Sequence, residues 1–272
     1  MKLFNFNLLS KNKSTSKLQM GKSPAKQDDR NIRFNKILNK SKLPIIPNSF
    51  NIDTTIYGDY NIPIPMFAND KYGNCVIAGR AHQTLRFELY EQNKIISIKD
   101  KHVLREYWFQ SGGRGNAFDN GLVVLDSLNA WRNRGWNIHC KNYKIYAYSQ
   151  INPKSEFETK AAIYLLSGIG IGLMLPTASM DQFINGSHWT VINDSSGEYG
   201  SLGGHYVYVI GYDDFGLTCI TWGKYQKMSW EFYKKYCDEA YGIIDNKNIF
   251  SINSPVDVEK LQNYLNIITN KS

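Results

Sequence analysis

The sequence predicts an α+β protein, with its helices first and an antiparallel sheet second. Three observations predict it. Helical signals crowd residues 60–140 and strand signals dominate 143–222. A cysteine at a helix start is also answered, 130 positions later, by a histidine at a strand start. A run of helices followed by a run of strands is the mark of α+β folds rather than of alternating βαβ units.

The elements follow in order. Asn69-Asp-Lys-Tyr-Gly-Asn74 reads as a turn into a helix over Cys75–Gln92. That stretch has no proline, and Ala78, Ala81, Leu85 and Leu89 recur at helical spacing, which predicts one buried face. Lys99–Gln110 is a second helix. Gly121–Gly135 is a third, closed by Arg134 and Gly135 as helix C-termini often are. A helix at about 157–166 leads into the strand Ile169–Leu175. The glycines of 168–172 have no helix directly after them, so they do not make a dinucleotide fingerprint. His205–Tyr212 is a strand of aromatic and β-branched residues. Asp213–Gly216 turns it, and Leu217–Gly223 returns antiparallel, bringing Thr221 and Trp222 back towards His205. Ser229–Glu239 reads as a helix with Ser229 as N-cap, followed by a strand over Ala240–Ile244. Ser254-Pro255 starts a last helix over 255–270, with Val258, Leu261, Leu265 and Ile268 on one face.

The chemistry-bearing pair is Cys75 and His205. A thiol becomes a good nucleophile when its pKa falls, and a helix N-terminus beside an imidazole lowers it. Cys140, Cys219 and Cys237 have no such surroundings in the sequence, so Cys75 is expected to be the low-pKa thiol. His82 lies two turns along the same helix from Cys75, too far to serve as its base, and reads as a packing residue. His188-Trp189 reads as a loop beside the site.

Cys on a helix followed by His on a hairpin resembles the papain-like cysteine peptidases. The resemblance implies a two-lobed fold: a helical lobe over about 60–140, a β lobe over about 141–250, and the site in the cleft between. In that family an amide side chain six positions before the nucleophile helps hold the oxyanion, and Asn69 occupies that place. Sixteen residues after the His the family has an Asn that orients the imidazole, and Thr221 stands there. The resemblance therefore implies Cys75, His205, Asn69 and Thr221 as catalytic residues, and Gly204 and Trp222 as cleft residues. Asn69 is one methylene shorter than the family's Gln. A Thr hydroxyl accepts from an imidazole with less directional control than an amide does. The pieces Met20-Gly-Lys-Ser-Pro-Ala-Lys26, Asn69–Cys75, Gly203-Gly-His205, Thr221-Trp-Gly223 and Asp238-Glu-Ala-Tyr241 also resemble papain-like proteins of bacteriophages and prophages. That likeness implies either a peptidase acting on peptide or protein substrates, or a virion or assembly component built on the same fold.

Charge is unevenly placed. Residues 1–43 hold eleven Lys or Arg and two Asp, a net +9 against +8 for the whole chain, so the remainder is close to neutral. This predicts a basic N-terminal arm, 1–43, ahead of a papain-like domain over 44–272. The arm is expected to dock on an acidic protein surface or a nucleic-acid backbone. It lacks the interleaved aromatic residues that bind single strands. The four cysteines form no CxxC pair, so no zinc site is expected, and the Cys–His chemistry calls for no cofactor. Phe4, Phe6, Leu8 and Leu9 are broken up by Asn and Lys, so no secretory signal is expected, and no run is long enough for a membrane span. Free thiols in a host cytoplasm or a virion are the expectation.

Overall fold

The structure is a computed structural model and describes residues 18–56, 58, 60–245 and 255–269. The basic stretch 1–17, with Leu8 and Leu9, and the expected cap Ser254 lie outside the described residues.

Seven helices carry the labels used below. They are α1 (Cys75–Gln92), α2 (Asp100–Ser111), α3 (Val124–Asn133), α4 (Glu156–Leu165), α5 (Ala178–Ile184), α6 (Trp230–Tyr236) and α7 (Val258–Thr269). The main sheet has seven strands: β1 (Phe50–Asn51), β2 (Ala147–Gln150), β3 (Ile169–Leu175), β4 (Gly203–Tyr212), β5 (Gly216–Thr221), β6 (Lys224–Ser229) and β7 (Cys237–Ile244). Its order is β2-β7-β3-β4-β5-β6, antiparallel throughout, with β1 pairing the far end of β4. Helices do precede most of the sheet, and the fold is α+β.

Helix α1 lies against β4. An added Cβ at Gly79 would come within 2.7 Å of the Tyr206 ring, so a glycine lets helix and strand approach this closely. The helix is buried all round from Cys75 to Glu88, not along one face. Its two arginines are paired instead of solvated. Arg80 meets Glu106 at 3.3 Å and donates to the Ser127 carbonyl at 2.7 Å, and Arg86 donates to Asp53 at 2.7 Å. A helix this central cannot be amphipathic, which is why the sequence pattern marked only part of its buried surface.

Three expectations need correction. First, the segment before residue 44 is not an arm over its described half. Ile32, Phe34 and Ile37 are in the core. Arg33 bridges to Gln150, and a short helical turn over Phe34–Ile37 packs on α4 and α7. Second, α6 stops at Tyr236, and Cys237–Glu239 join β7 with Glu239 opposite Gly172. Pairing with β3 overrides a modest helical preference there. Ser229 does cap α6, accepting from the Phe232 amide at 3.1 Å. Third, Trp222 is not in a strand; it sits at the β5–β6 turn with φ 45°.

Candidate active site

Cys75 is the first residue of α1, so its own N–H and that of Val76 lack acceptors within the helix. The turn before it is held from outside. Asp119 Oδ1 accepts from the Gly73 amide at 2.8 Å and from the Tyr107 hydroxyl at 2.6 Å, and that hydroxyl in turn accepts from the Gly121 amide at 3.1 Å. Asn74 folds back to donate to the Phe67 carbonyl at 2.8 Å. Phe67 and Ala68 both adopt left-handed backbone, φ 56°, which carries the chain sharply into this turn.

His205 follows Gly203 and Gly204 at the start of β4 and is fully buried. Its Nε2 lies 2.7 Å from Thr221 Oγ1. Its ring stacks on the Trp222 indole, with centroids 4.1 Å apart and planes 18° apart. Trp222 is backed in turn by Phe183 and by the buried Trp189. Expected beside the site, Trp189 therefore forms its rear wall, while His188 is exposed and packs on Phe215. His82 is buried against Phe67 as a packing residue. His205 Nδ1 is buried and has no hydrogen-bond partner among the described residues.

Asn69 stands differently from the role its position implies. Its amide donates to Asn74 Oδ1 at 3.0 Å and to the Tyr72 carbonyl at 3.2 Å, which uses both amide hydrogens. In this arrangement it braces the turn and has no donor left for an oxyanion. Being one methylene shorter than Gln keeps it within reach of its own loop.

The slot in front of Cys75 is filled by the chain's own Met20–Ser23. Gly21 and Lys22 both donate to the Gly204 carbonyl, at 3.1 and 3.0 Å. On the other side the Leu122 amide donates to the Gly21 carbonyl at 2.9 Å, and Ser23 donates to the Leu122 carbonyl at 3.0 Å. Lys22 and Leu122 run parallel. The segment is thus clamped on both edges as a strand would be. Only glycines allow the fit. An added Cβ at Gly21 would lie 1.9 Å from the Gly73 carbonyl oxygen, one at Gly204 2.1 Å from that of Lys22, and one at Gly121 2.4 Å from that of Gly21.

This closure sets the electrostatics. Burial pushes the Cys75 thiol up to about 11, although the amides of Tyr206, Gly21 and Val76 and the charge of Lys22 favour the thiolate. Burial alone depresses the His205 imidazole to about 3. At neutral pH the closed site therefore holds a thiol and a neutral imidazole. That overturns the expectation that Cys75 is the low-pKa thiol of this conformation. Both shifts come from burial, so both reverse when water reaches the slot.

Lys22 anchors the segment. Its Nζ is 2.7 Å from Asp238 Oδ2 and 3.1 Å from Glu239 Oε1, with its side chain wholly buried. Burial opposes the lysine's charge, but the two carboxylates outweigh it and raise its pKa. In the sequence, Gly21, Lys22, Asp238 and Glu239 occur only within the pieces that carry the resemblance, and nothing local gives them a role. Asp119 was missed altogether. The density of glycines at 21, 73, 121, 203 and 204 was the available signal, but glycines alone do not reveal which backbone passes between them.

This architecture is that of the papain-like cysteine proteases. Xylellain, a cysteine protease from Xylella fastidiosa, superposes with a TM-score of 0.63 at 15% identity, over 83% of this chain and 96% of that one. A proCathepsin B from Trypanosoma congolense gives 0.54 at 13% identity, over 76% and 80% of the two chains. The Carica candamarcensis cysteine protease CMS1MS2, solved with E-64, gives 0.51 at 13% identity, over 74% of this chain and all of that one. No family profile matches the sequence, and no curated protein sequence matches it. At these identities the likeness establishes the fold; the activity has to be argued from the site.

Proposed function

We propose that this chain is a papain-type thiol hydrolase, acting on peptides or proteins, whose site is held shut by its own residues 20–23. One observation carries the reading. Cys75 at a helix N-terminus has its thiol at the amide of Tyr206, the residue after His205, whose ring is bonded to Thr221 and covered by Trp222. With the slot open, His205 Nδ1 takes the thiol proton and Cys75 Sγ attacks the substrate carbonyl carbon. The imidazolium then protonates the departing amine, and a water activated by the same imidazole hydrolyses the thioester. The unfilled amides of the first turn of α1 face the oxyanion. Thr221 keeps the proton on Nε2, leaving Nδ1 as the base. The solved structures of similar fold include cysteine proteases, which supports this reading.

A second reading is favoured by the closure itself: a virion or assembly component whose cleft stays shut. In it, the basic N-terminal residues dock on an acidic protein surface or a nucleic-acid backbone. The motif likeness to phage-encoded proteins, and a location in host cytoplasm or virion, belong to this proposal. No described helix is long and apolar enough to cross a membrane.

The test is digestion of a denatured protein mixture by a full-length Gly21→Ala chain, which cannot seat the segment, read by mass spectrometry. Cleavage that disappears in Gly21→Ala/Cys75→Ser is expected. No cleavage from a chain whose Cys75 is demonstrably open to alkylation would overturn the enzymatic reading and favour the second.

A further inference from the structure

The closing segment also reports on what its slot recognises. The Lys22 side chain passes over Gly172, where an added Cβ would lie 2.2 Å from Lys22 Cε, and ends between Asp238 and Glu239. Two carboxylates thus meet one ammonium, carried by the residue next to Gly21. The pocket holds more acceptor capacity than the lysine uses. Asp238 Oδ1 and Glu239 Oε2 are buried and make no hydrogen bond of normal geometry, although the Tyr241 hydroxyl is near enough to bias the Glu239 carboxyl. Buried acceptors left without donors are costly, and native structures rarely keep them without a reason. A guanidinium carries five N–H groups in a planar fork, and it satisfies paired carboxylates better than an ammonium does.

We infer that the pocket of Gly172, Asp238 and Glu239 is a specificity pocket for a basic side chain, arginine above lysine, on the peptide that replaces residues 20–23. Gly21 is the residue whose amide faces the Cys75 thiol. The recognised side chain is therefore one position from the residue over the nucleophile. The backbone rails are already built: the Gly204 carbonyl on one edge, and the Leu122 amide and carbonyl on the other. They bind any sequence in extended form, so selectivity falls to the side-chain pocket. Asp238 and Glu239 touch the ligand side chain and not the reacting atoms. This inference rests on the reading of the slot as a peptide site, and its test reads occupancy, so it does not depend on turnover.

The test uses the full-length chain carrying Lys22→Met, which keeps the volume of the side chain and removes its charge. The rate of Cys75 alkylation by iodoacetamide is followed by mass spectrometry, alone and with the peptides Met-Gly-Arg-Ser-Pro or Met-Gly-Leu-Ser-Pro. Lys22→Met should alkylate at least tenfold faster than the native chain. The arginine peptide should protect Cys75 at tenfold lower concentration or less than the leucine peptide, and Glu239→Gln in the same background should erase that difference. Equal protection by the two peptides, or a difference that survives Glu239→Gln, overturns the inference. So does a Lys22→Met chain that stays as unreactive as the native one, because the charge pair would then not be what the slot recognises. If Lys22→Met does not fold, Lys22→Arg in the native background decides. It should slow alkylation or leave it unchanged, and a tenfold acceleration would show that the pocket rejects the fork.

Discussion

His205 Nε2 and Thr221 Oγ1 lie 2.7 Å apart with both residues buried. The bond joins the start of β4 to the end of β5, so the imidazole is set by strand pairing and not by a flexible loop. In the proposed tautomer the hydroxyl accepts from Nε2–H and Nδ1 is the basic nitrogen. Thr221 thus stands at the place where the resemblance has an amide, and its hydroxyl reaches the ring.

Removing that hydroxyl should be costly. Thr221→Val leaves Nε2 buried without a partner and is expected to lower unfolding stability by about 1–3 kcal/mol in urea titrations. Thr221→Ser should retain most of it. Thr221→Asn should hold the imidazole at least as well, with hydrolysis by the opened chain unchanged or raised. A Thr221→Val chain as stable as the native one would show that the bond does not orient His205.

His205 should also make the fold acid-sensitive. Its folded pKa is depressed by burial to about 3, from an ordinary value near 6.5. Above pH 6.5 neither the folded nor the unfolded imidazole is charged, and the full stability is present. Between pH 6.5 and 3 the unfolded chain takes up a proton that the folded site refuses, so stability falls by about 1.4 kcal/mol per pH unit. His82, pushed down by burial and by Arg86, adds a second loss of the same sign. Urea midpoints measured from pH 7 to pH 4 should show proton uptake on unfolding that drops by about one in His205→Asn. An unchanged slope would mean that the imidazole is already hydrated.

The cysteines should react in an order set by exposure. Cys140 is exposed, whereas Cys75, Cys219 and Cys237 are buried, so the native chain should be alkylated first at Cys140. Gly21→Ala, whose Cβ would meet the Gly73 carbonyl, should bring Cys75 forward by tenfold or more and leave Cys219 and Cys237 unreactive. Peptide mapping of labelled sites over time reads this directly.

Truncation should separate two parts of the basic N-terminus. A chain starting at Leu18 should keep its melting temperature within a few degrees. A chain starting at Leu43 loses Ile32, Phe34 and Ile37 from the core, about 5–9 kcal/mol of apolar burial. That is comparable with the whole stability of an ordinary domain, so it should not fold cooperatively. Equal melting of the two chains would show that the segment is a dispensable arm.

Much of this frame was legible. The bounds of α1 and β3 follow from uninterrupted helical and β-branched patterns. The meeting of His205, Thr221 and Trp222 follows from hairpin geometry. What hid the rest was tertiary. Lys22 reads as one more charge in a basic run, and nothing local says that its partners are more than two hundred residues away. Glu239 was folded into the expected helix over Ser229–Glu239, and only the pairing of β7 with β3 puts it opposite Gly172. The donors of Asn69 could be assigned to an oxyanion from spacing alone; their commitment to Asn74 and Tyr72 depends on the left-handed turn at Phe67 and Ala68.

The central claim is that Cys75 and His205 form a working nucleophile and base that the chain's own segment keeps buried. The pH dependence of Cys75 alkylation in the full-length Gly21→Ala chain, with and without His205→Ala, tests it most directly. Rapid labelling is expected, with a midpoint well below that of an ordinary thiol, near 8.5, and a shift of that midpoint upward once His205 is removed. A midpoint at or above 8.5 that ignores His205 would contradict it.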